Sequence, residues 1–593
     1  MKGIVKFFKT IKELRPLAIK PAIRENRGDF WLMTISNFLQ CMLLAGNIIV
    51  QAFFYQRIND YINGGPLASA VIGALVFAAV LIIQQVLNAL VNYSINKFIS
   101  FAGKTAQNQL MAKVSKLKPI YFEDPEKLLQ LSRAQQGAYD TMVFAGLFNM
   151  AVCGYIPYFV TMTWYMASKN ASLALILPIL FLPAVIGYIF RMKIIIKLKQ
   201  ELTKITRVRD EYRTYIIGPA AKEMRMGGFY NFLHGNYNTG WDKAKKANLR
   251  GAGKIFAVDL TLKIITSMAY AAVIYLILRA TLLGDSGAGF LAATISSVQF
   301  MFGIMEEFMQ NSIGSLADKY GGISFFIDMM KAEEASFGTD MSPIEKIEIK
   351  DLSFRYPNTE TYAVKDVDLN LEKDKLIAVV GENGSGKSTL LKLVLGLFDP
   401  ESGEVKYYSE GGREIPDPNL REKSSAIFQD FYKYKMRLDE NIEISDLNKK
   451  DDFGLALTKA GLNKNLPIFP EGGATVLSRE FNGTDISGGQ WQRVAIARGV
   501  YRDRDIIAFD EPTAAIDPLE ESALYNKLRE ISEGKIGLLI THRIGSARIA
   551  DEIVVMNGGK VSERGSHEEL MERKGEYYSM VQAQAKWYSD ISH

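Results

Sequence analysis

The run LIAVVGENGSGKSTLLKLVLGL, residues 376–397, decides the fold of its half of the chain. A short β-branched run ends at Val380. Gly381 to Ser388 then satisfy the spacing G-x-x-x-x-G-K-[ST] and open straight into a stretch of helical apolar period. The chemistry explains the spacing. Glycines let successive backbone N–H groups close around phosphate oxygens, and the N-terminus of the following helix adds positive potential. Lys387 is set to meet the β- and γ-phosphates, and Ser388 to ligate a magnesium ion that keeps several of its waters. Gly381, Asn383, Gly384, Ser385, Gly386, Lys387, Ser388 and Thr389 are the expected nucleotide-binding residues of this loop.

Outward from the loop, short strand-like runs alternate with helical stretches from about Ile344 onward, as in an α/β domain. IEKIEIKDLSFRY reads as strand. DIIAFDEPTAAID, residues 505–517, is a buried apolar strand that ends in two carboxylates. Behind a matched phosphate loop, Asp510 is expected to hold the magnesium, and Glu511 to orient and polarise an attacking water. A second glycine-rich loop, ISGGQ at 486–490, opens a basic, apolar-periodic helix.

The first ~320 residues are of another kind. A spanning helix needs about 20 mostly apolar residues. Six candidates occur: Phe30–Tyr55, Leu67–Tyr93, Met142–Ala167, Ala171–Ile189, Ile255–Ala280 and Ala288–Met309. Short connections alternate with two long ones, around 94–140 and 191–254. The long ones carry the cations, among them Lys97, Lys104, Lys113, Arg191, Lys197 and Arg209. The positive-inside rule puts both termini and both long loops in the cytoplasm. Both loops show helical apolar spacing, so they read as spans that run on into water, broken at KPIYFEDPEKLLQLSRA and IIGPAAKEMRMGGF. The basic, amphipathic start MKGIVKFFKTIKELRP reads as an interfacial helix. Ser36, Gln40, Asn47 and Gln51 share one face of the first span, and Gln85, Asn88, Asn92 and Asn96 one face of the second. Interhelical hydrogen bonds and the lining of a wet cavity are both open to them. Glu306 and Glu307 can attract a cationic substrate, or sit at the cytoplasmic end of the last span at no charge cost.

Composition excludes several classes. A length of 593 residues calls for more than one core. Net charge is +5, which does not argue for nucleic acid, and two cysteines and four histidines leave no disulfide framework or zinc spacing.

A phosphate loop, then ISGGQ, then FDEP, then LLITHR, in that order, resemble the ATP-binding-cassette (ABC) ATPases. Six spans with two long cytoplasmic loops ahead of one cassette look like an ABC exporter half-transporter of the multidrug and peptide type. The resemblance implies an all-α, six-helix membrane domain over 1–325, a linker over 326–345, and an α/β P-loop NTPase domain over 346–593. It implies that Tyr356 stacks on adenine and that Gln429 senses magnesium and the membrane domain. Ser487, Gly488, Gly489 and Gln490 match the signature loop, which closes over the ATP held by a second cassette. Asp517 would link the two sites, and His542 would act as the switch histidine near the γ-phosphate. Tyr121 to Ala134 and Pro219 to Gly228 match the coupling helices.

The same resemblance implies ATP and Mg2+ as ligands. It implies a second copy of the chain, or a related half-transporter, as partner, beside the lipid bilayer and a transported peptide or amphiphile, with no nucleic acid. LSREFNGTDISGGQWQR is similar to the wording found in exporters of lantibiotics and other ribosomal peptides. The expectation is therefore ATP-driven efflux by alternating access across a bacterial cytoplasmic membrane. A lipid flippase and one half of a heterodimeric transporter are the alternatives.

Overall fold

The computed structural model describes residues 12–169, 176–282, 295, 298–300, 302–304, 315–336, 338–512 and 518–589. Residues 1–11, most of the expected sixth span with Glu306 and Glu307, and Asp517 lie outside that set. The chain divides into two compact units. One comprises residues 1–116 and 126–332, the other 117–125 and 333–593.

The first unit is helical: α1 (Arg27–Ile62), α2 (Leu67–Val114), α3 (Pro125–Met150), α4 (Ile156–Lys169), α5 (Ile176–Ile217), α6 (Ala221–Gly227), α7 (Tyr230–Leu282) and α8 (Ser315–Lys331). A π-helical turn, Ala151–Tyr155, joins α3 to α4. At 1.5 Å per residue, α2 is ~72 Å long, more than twice the ~30 Å of a hydrocarbon core. Its excess length is why the first cation-rich loop carries helical spacing. Among the described residues, four helices are long and apolar enough to cross a membrane: Arg27–Ile62, Leu67–Val114, Pro125–Ser168 and Tyr230–Tyr275. They take in the first, second, third and most of the fifth expected spans. The fourth enters α5, which is not among the four. Leu75, Ile82 and Val86 stand exposed on α2, a surface that suits lipid and not water.

Polar groups inside this unit find one another. Ser36 and Ser94 hydroxyls lie 3.1 Å apart, and Gln40 Nε2 donates to Asn88 Oδ1 at 3.0 Å. These contacts realise the interhelical alternative for Ser36, Gln40 and Asn88, because an apolar surround offers no water as a substitute. The Asn47 side-chain oxygen is buried without a partner. Deeper in the unit, Lys319 Nζ reaches the buried Asp140 carboxylate at 2.7 Å. Beside this pair α3 and α8 cross at Gly137 and Gly322, where a Cβ on Gly137 would collide with the Gly322 carbonyl oxygen.

The second unit holds two sheets. One is antiparallel, in the order β2 (Val364–Glu372), β1 (Lys346–Phe354), β4 (Ser402–Tyr408), β5 (Glu414–Ile415). The other runs β10 (Lys560–Gly565), β9 (Glu552–Asn557), β3 (Lys375–Gly381), β8 (Ile536–Ile540), β7 (Ile506–Asp510), β6 (Ser424–Ile427). All its pairings are parallel except β10 with β9. Every residue of β7 and β8 is buried, as strands covered on both faces require. The helices of this unit include α9 (Lys387–Val394), α10 (Gly488–Arg502), α11 (Pro518–Ser532), α12 (Ile544–Ala547), α13 (His567–Arg573) and α14 (Glu576–Ser589).

The two expected coupling segments take different forms. Residues 121–134 do not form one helix. A 3-10 turn, Pro119–Glu123, ends at Asp124, and α3 begins at Pro125. Proline explains the split, since it disfavours helix in the residue before it. The turn folds with the second unit: Ile120 packs on its core, and Glu123 pairs with Lys392 at 2.7 Å. The other segment contains the seven-residue α6, which stops at Gly228 in a left-handed turn, φ +66°.

The glycine crossing yields a test. Gly to Ala inside a helix ordinarily stabilises by about 1 kcal/mol. Gly253→Ala meets nothing within 4 Å and should follow that rule. Gly137→Ala should reverse the sign and lower the thermal midpoint by several degrees, because the α3–α8 approach must widen. Thermal unfolding of both variants in detergent decides it. Equal behaviour would mean that the crossing is looser than described.

Candidate functional site: a nucleotide site at the carboxyl edge of a parallel sheet

Strand register brings the site together. Val379 of β3 and Asp510 of β7 both pair with Ile540 of β8. The phosphate loop, the two carboxylates and His542 therefore leave three adjacent parallel strands at the same edge, where ligands of open α/β sheets bind. The loop's turns depend on glycine. Gly386 has φ +101°, and a Cβ there would collide with the Ala363 carbonyl oxygen.

Lys387 is buried, and its Nζ donates to the carbonyls of Gly381 at 2.9 Å and Glu382 at 2.8 Å. Burial holds its pKa below the usual lysine value, against the opposing pull of Glu511 and Asp510. Ser388 Oγ donates to Asp510 Oδ1 at 3.1 Å. Burial pushes the Asp510 carboxyl up. The Ser388 hydrogen bond works against that shift, and the charge of Glu511 adds to it. Glu511 carries φ +51°, unusual for a residue with a side chain, and its N–H is held by the Ile540 carbonyl at 3.0 Å. Its carboxylate lies between two groups: Gln429 Nε2 donates to one oxygen at 2.8 Å, and His542 Nδ1 lies 3.1 Å from the other.

These side chains fit a magnesium–nucleotide. A buried cation, a buried carboxylate with a hydroxyl beside it, and the Ser385 hydroxyl, buried with no partner, are groups that phosphate oxygens and a hard divalent ion would satisfy. Ser388 and Asp510, with the expected Gln429 beside Glu511, are residues that could hold such an ion or its waters.

The remaining expected residues divide. Tyr356 is half-buried, edge-on to Phe354 and Phe398, with its hydroxyl 3.1 Å from Thr389 Oγ1. Ser487 is the N-cap of α10. Its hydroxyl accepts from Gln490 N–H at 3.3 Å, and Gln490 Oε1 accepts from Ser487 N–H at 2.9 Å. ISGGQ is thus a closed capping box, with the Gly488 and Gly489 amides at a helix N-terminus. These two bonds are internal to the loop and do not reach the phosphate loop. Asp517 lies outside the described residues. Gln492 is not among the residues singled out from the sequence. It is buried on α10, and its Nε2 donates to the Glu511 carbonyl at 3.3 Å. A second glutamine just inside the helix that ISGGQ opens is the only signal the sequence offers for it.

A family model described as ABC transporter matches residues 364–514. The nisin transport ATP-binding protein of Lactococcus lactis subsp. lactis is 37% identical over 246 residues, 40% of each chain. The subtilin transport ATP-binding protein of Bacillus subtilis is 27% identical over 536 residues, 86% of this chain and 84% of the relative. An ATP-dependent lipid A-core flippase of Pseudomonas aeruginosa is 31% identical over 344 residues, 56% of this chain and 55% of the relative. The chain thus spans less than half the length of the first of these relatives and about half that of the third. The fold is similar to that of a bacterial Atm1-family ABC exporter with ATP bound, with TM-score 0.72, 18% identity, and coverage of 93% of this chain and 98% of that one. Residues 364–514 thus match the ABC transporter family model, and the chain as a whole has the fold of an ABC exporter, with that domain behind a region of long apolar helices.

Proposed function

We propose that the chain hydrolyses ATP to export a peptide or an amphipathic small molecule, working as a homodimer in the cytoplasmic membrane with both termini inside. The observation that carries this reading is the Glu511 carboxylate held between Gln429 and His542, beside the Ser388–Asp510 pair. A complete hydrolytic set in one chain supports two competent sites in a pair of identical chains. The named nisin and subtilin transport relatives support a peptide. The flippase relatives support a lipid as the second reading.

In this reading Lys387 leaves its two loop carbonyls for the β- and γ-phosphates. Ser388 and Asp510 would hold Mg2+, which would supply neutralisation of developing phosphate charge. Glu511 orients the attacking water and accepts its proton, and His542 and Gln429 keep the carboxylate aimed. The Ser487–Gln490 helix end closes on the nucleotide of the partner copy. Preferential binding of ATP to the closed pair supplies the bias that moves the spans.

Two outcomes test this. In lipid, the purified chain should hydrolyse ATP, and Glu511→Gln should lower kcat by about a hundredfold or more, the usual worth of a general base. Inside-out vesicles should then take up a labelled peptide. Stimulation by defined lipids with indifference to peptides would favour the flippase reading, and an inactive, well-folded chain would sink the homodimer.

The second concerns Asp510. Its carboxyl is raised, so the folded state binds a proton more readily than the unfolded one, and stability is lost as pH rises through that window. Above that window the full cost is present. Asp510→Asn should therefore raise the thermal midpoint of the nucleotide-free protein by a few degrees, while abolishing the further rise that Mg-ATP gives the parent. Thermal unfolding with and without Mg-ATP reads both, and a lowered midpoint without nucleotide would contradict the electrostatic account.

A further inference from the structure

Beyond the end of β8 the chain needs new partners. Thr541 N–H still reaches the Val379 carbonyl at 3.2 Å, and Arg543 N–H turns back to Thr541 Oγ1 at 3.0 Å. The next two groups are bound from a distant element. Gln584 Nε2 donates to the His542 carbonyl at 2.7 Å, and Gln584 Oε1 accepts from Ile544 N–H at 2.9 Å. One side-chain amide thus brackets the backbone on both sides of Arg543. The His542 ring, on that same short loop, stands 3.1 Å from Glu511.

Gln584 is fixed by its helix. Tyr577, Met580, Val581 and Gln584 recur at i, i+3, i+4 and i+7 on α14, the spacing of one buried face. The first three pack with Ile544 and Ala547 of α12. The start of α14 is tied down as well. Both Glu563 carboxylate oxygens accept from α14 amides, Glu576 N–H at 2.6 Å and Tyr577 N–H at 3.0 Å, and the buried Tyr577 hydroxyl lies 2.9 Å from His567 Nδ1. A glutamine where the pattern would place an apolar residue must satisfy both ends of its amide. Here it does so on the loop that carries His542.

We propose that Gln584 is a positioning residue for ATP hydrolysis: the last helix sets the His542 loop, and through it the angle at which His542 meets Glu511. This rests on the hydrolytic reading above. It assigns α14 a part in the chemistry through the His542 loop, not through the nucleotide.

The test uses the full chain in lipid. Gln584→Leu keeps the bulk and removes both hydrogen bonds, and Gln582→Leu, on the exposed side of α14, controls for helix perturbation. Two net hydrogen bonds correspond to roughly one power of ten or more in loop opening. Gln584→Leu should lower kcat about tenfold with KM for ATP within about twofold, and should speed amide hydrogen exchange over residues 541–546 by a similar factor. Gln582→Leu should change neither. An unchanged kcat, a KM that rises in step with the loss, or unchanged exchange over 541–546 would overturn the proposal. Absence of hydrolysis in the parent would sink the functional reading instead, and the exchange measurement would still decide whether Gln584 holds the loop.

Discussion

Three parallel strands, β3, β8 and β7, lie side by side, and everything at the candidate site depends on that adjacency. Parallel pairing sends all three carboxyl ends to one edge. A phosphate loop after the first, a histidine loop after the second and two carboxylates at the end of the third then meet without any long-range device. The cost is burial on both faces, which β7 and β8 meet with IIAF and IGLLI. Asp510 is the exception within a strand, a carboxylate in a fully buried run, and its hydrogen bond from Ser388 only partly offsets the loss of water.

The helical unit solves the opposite problem. Its spans expose large apolar side chains such as Leu75, Ile82 and Val86, so hydrophobic exclusion from water cannot order those helices within lipid. Directed contacts do that instead. Ser36–Ser94 and Gln40–Asn88 pin α1 to α2, Asn149 Nδ2 donates to Thr34 Oγ1 at 2.9 Å between α3 and α1, and Asp140–Lys319 ties α3 to α8 where two glycines let the backbones approach.

What is legible in the sequence is what is local. The phosphate loop is eight consecutive residues with a fixed chemistry, and the long apolar helices announce themselves by composition, although the fourth and sixth spans do not appear among the four apolar helices of the described residues. The two halves of the fold are legible for the same reason. The segment at 121–134, expected to be a coupling helix, shows no boundary in its apolar residues, whereas Pro125 breaks the backbone conformation at Asp124. Gln492 and Gln584 escape sequence reading because a single glutamine on a helix has no pattern. Its meaning lies in a partner 19 residues away for the first and 42 for the second. Tyr356 stands where the motif order expects an aromatic, but its packing against Phe354 and Phe398 is a tertiary fact that no spacing reveals.

The site as it stands is poorly satisfied, and that is a physical argument about what it is for. Lys387 spends its charge on two neutral carbonyls, Ser385 Oγ has no partner, Asp510 is held in a poor solvent for its charge, and Glu511 sits at a backbone angle that costs of order 1 kcal/mol. A fold optimised for stability alone would remove each of these. A ligand that brings phosphate oxygens to Lys387 and Ser385, and a divalent ion to Asp510, relieves three of them at once. Part of its binding free energy is therefore the release of a cost already built into this edge of the sheet. The strain at Glu511 is not relieved in this way. It stays with the carboxylate that Gln429 and His542 hold in place, which is where a reaction, as distinct from mere binding, needs a fixed direction.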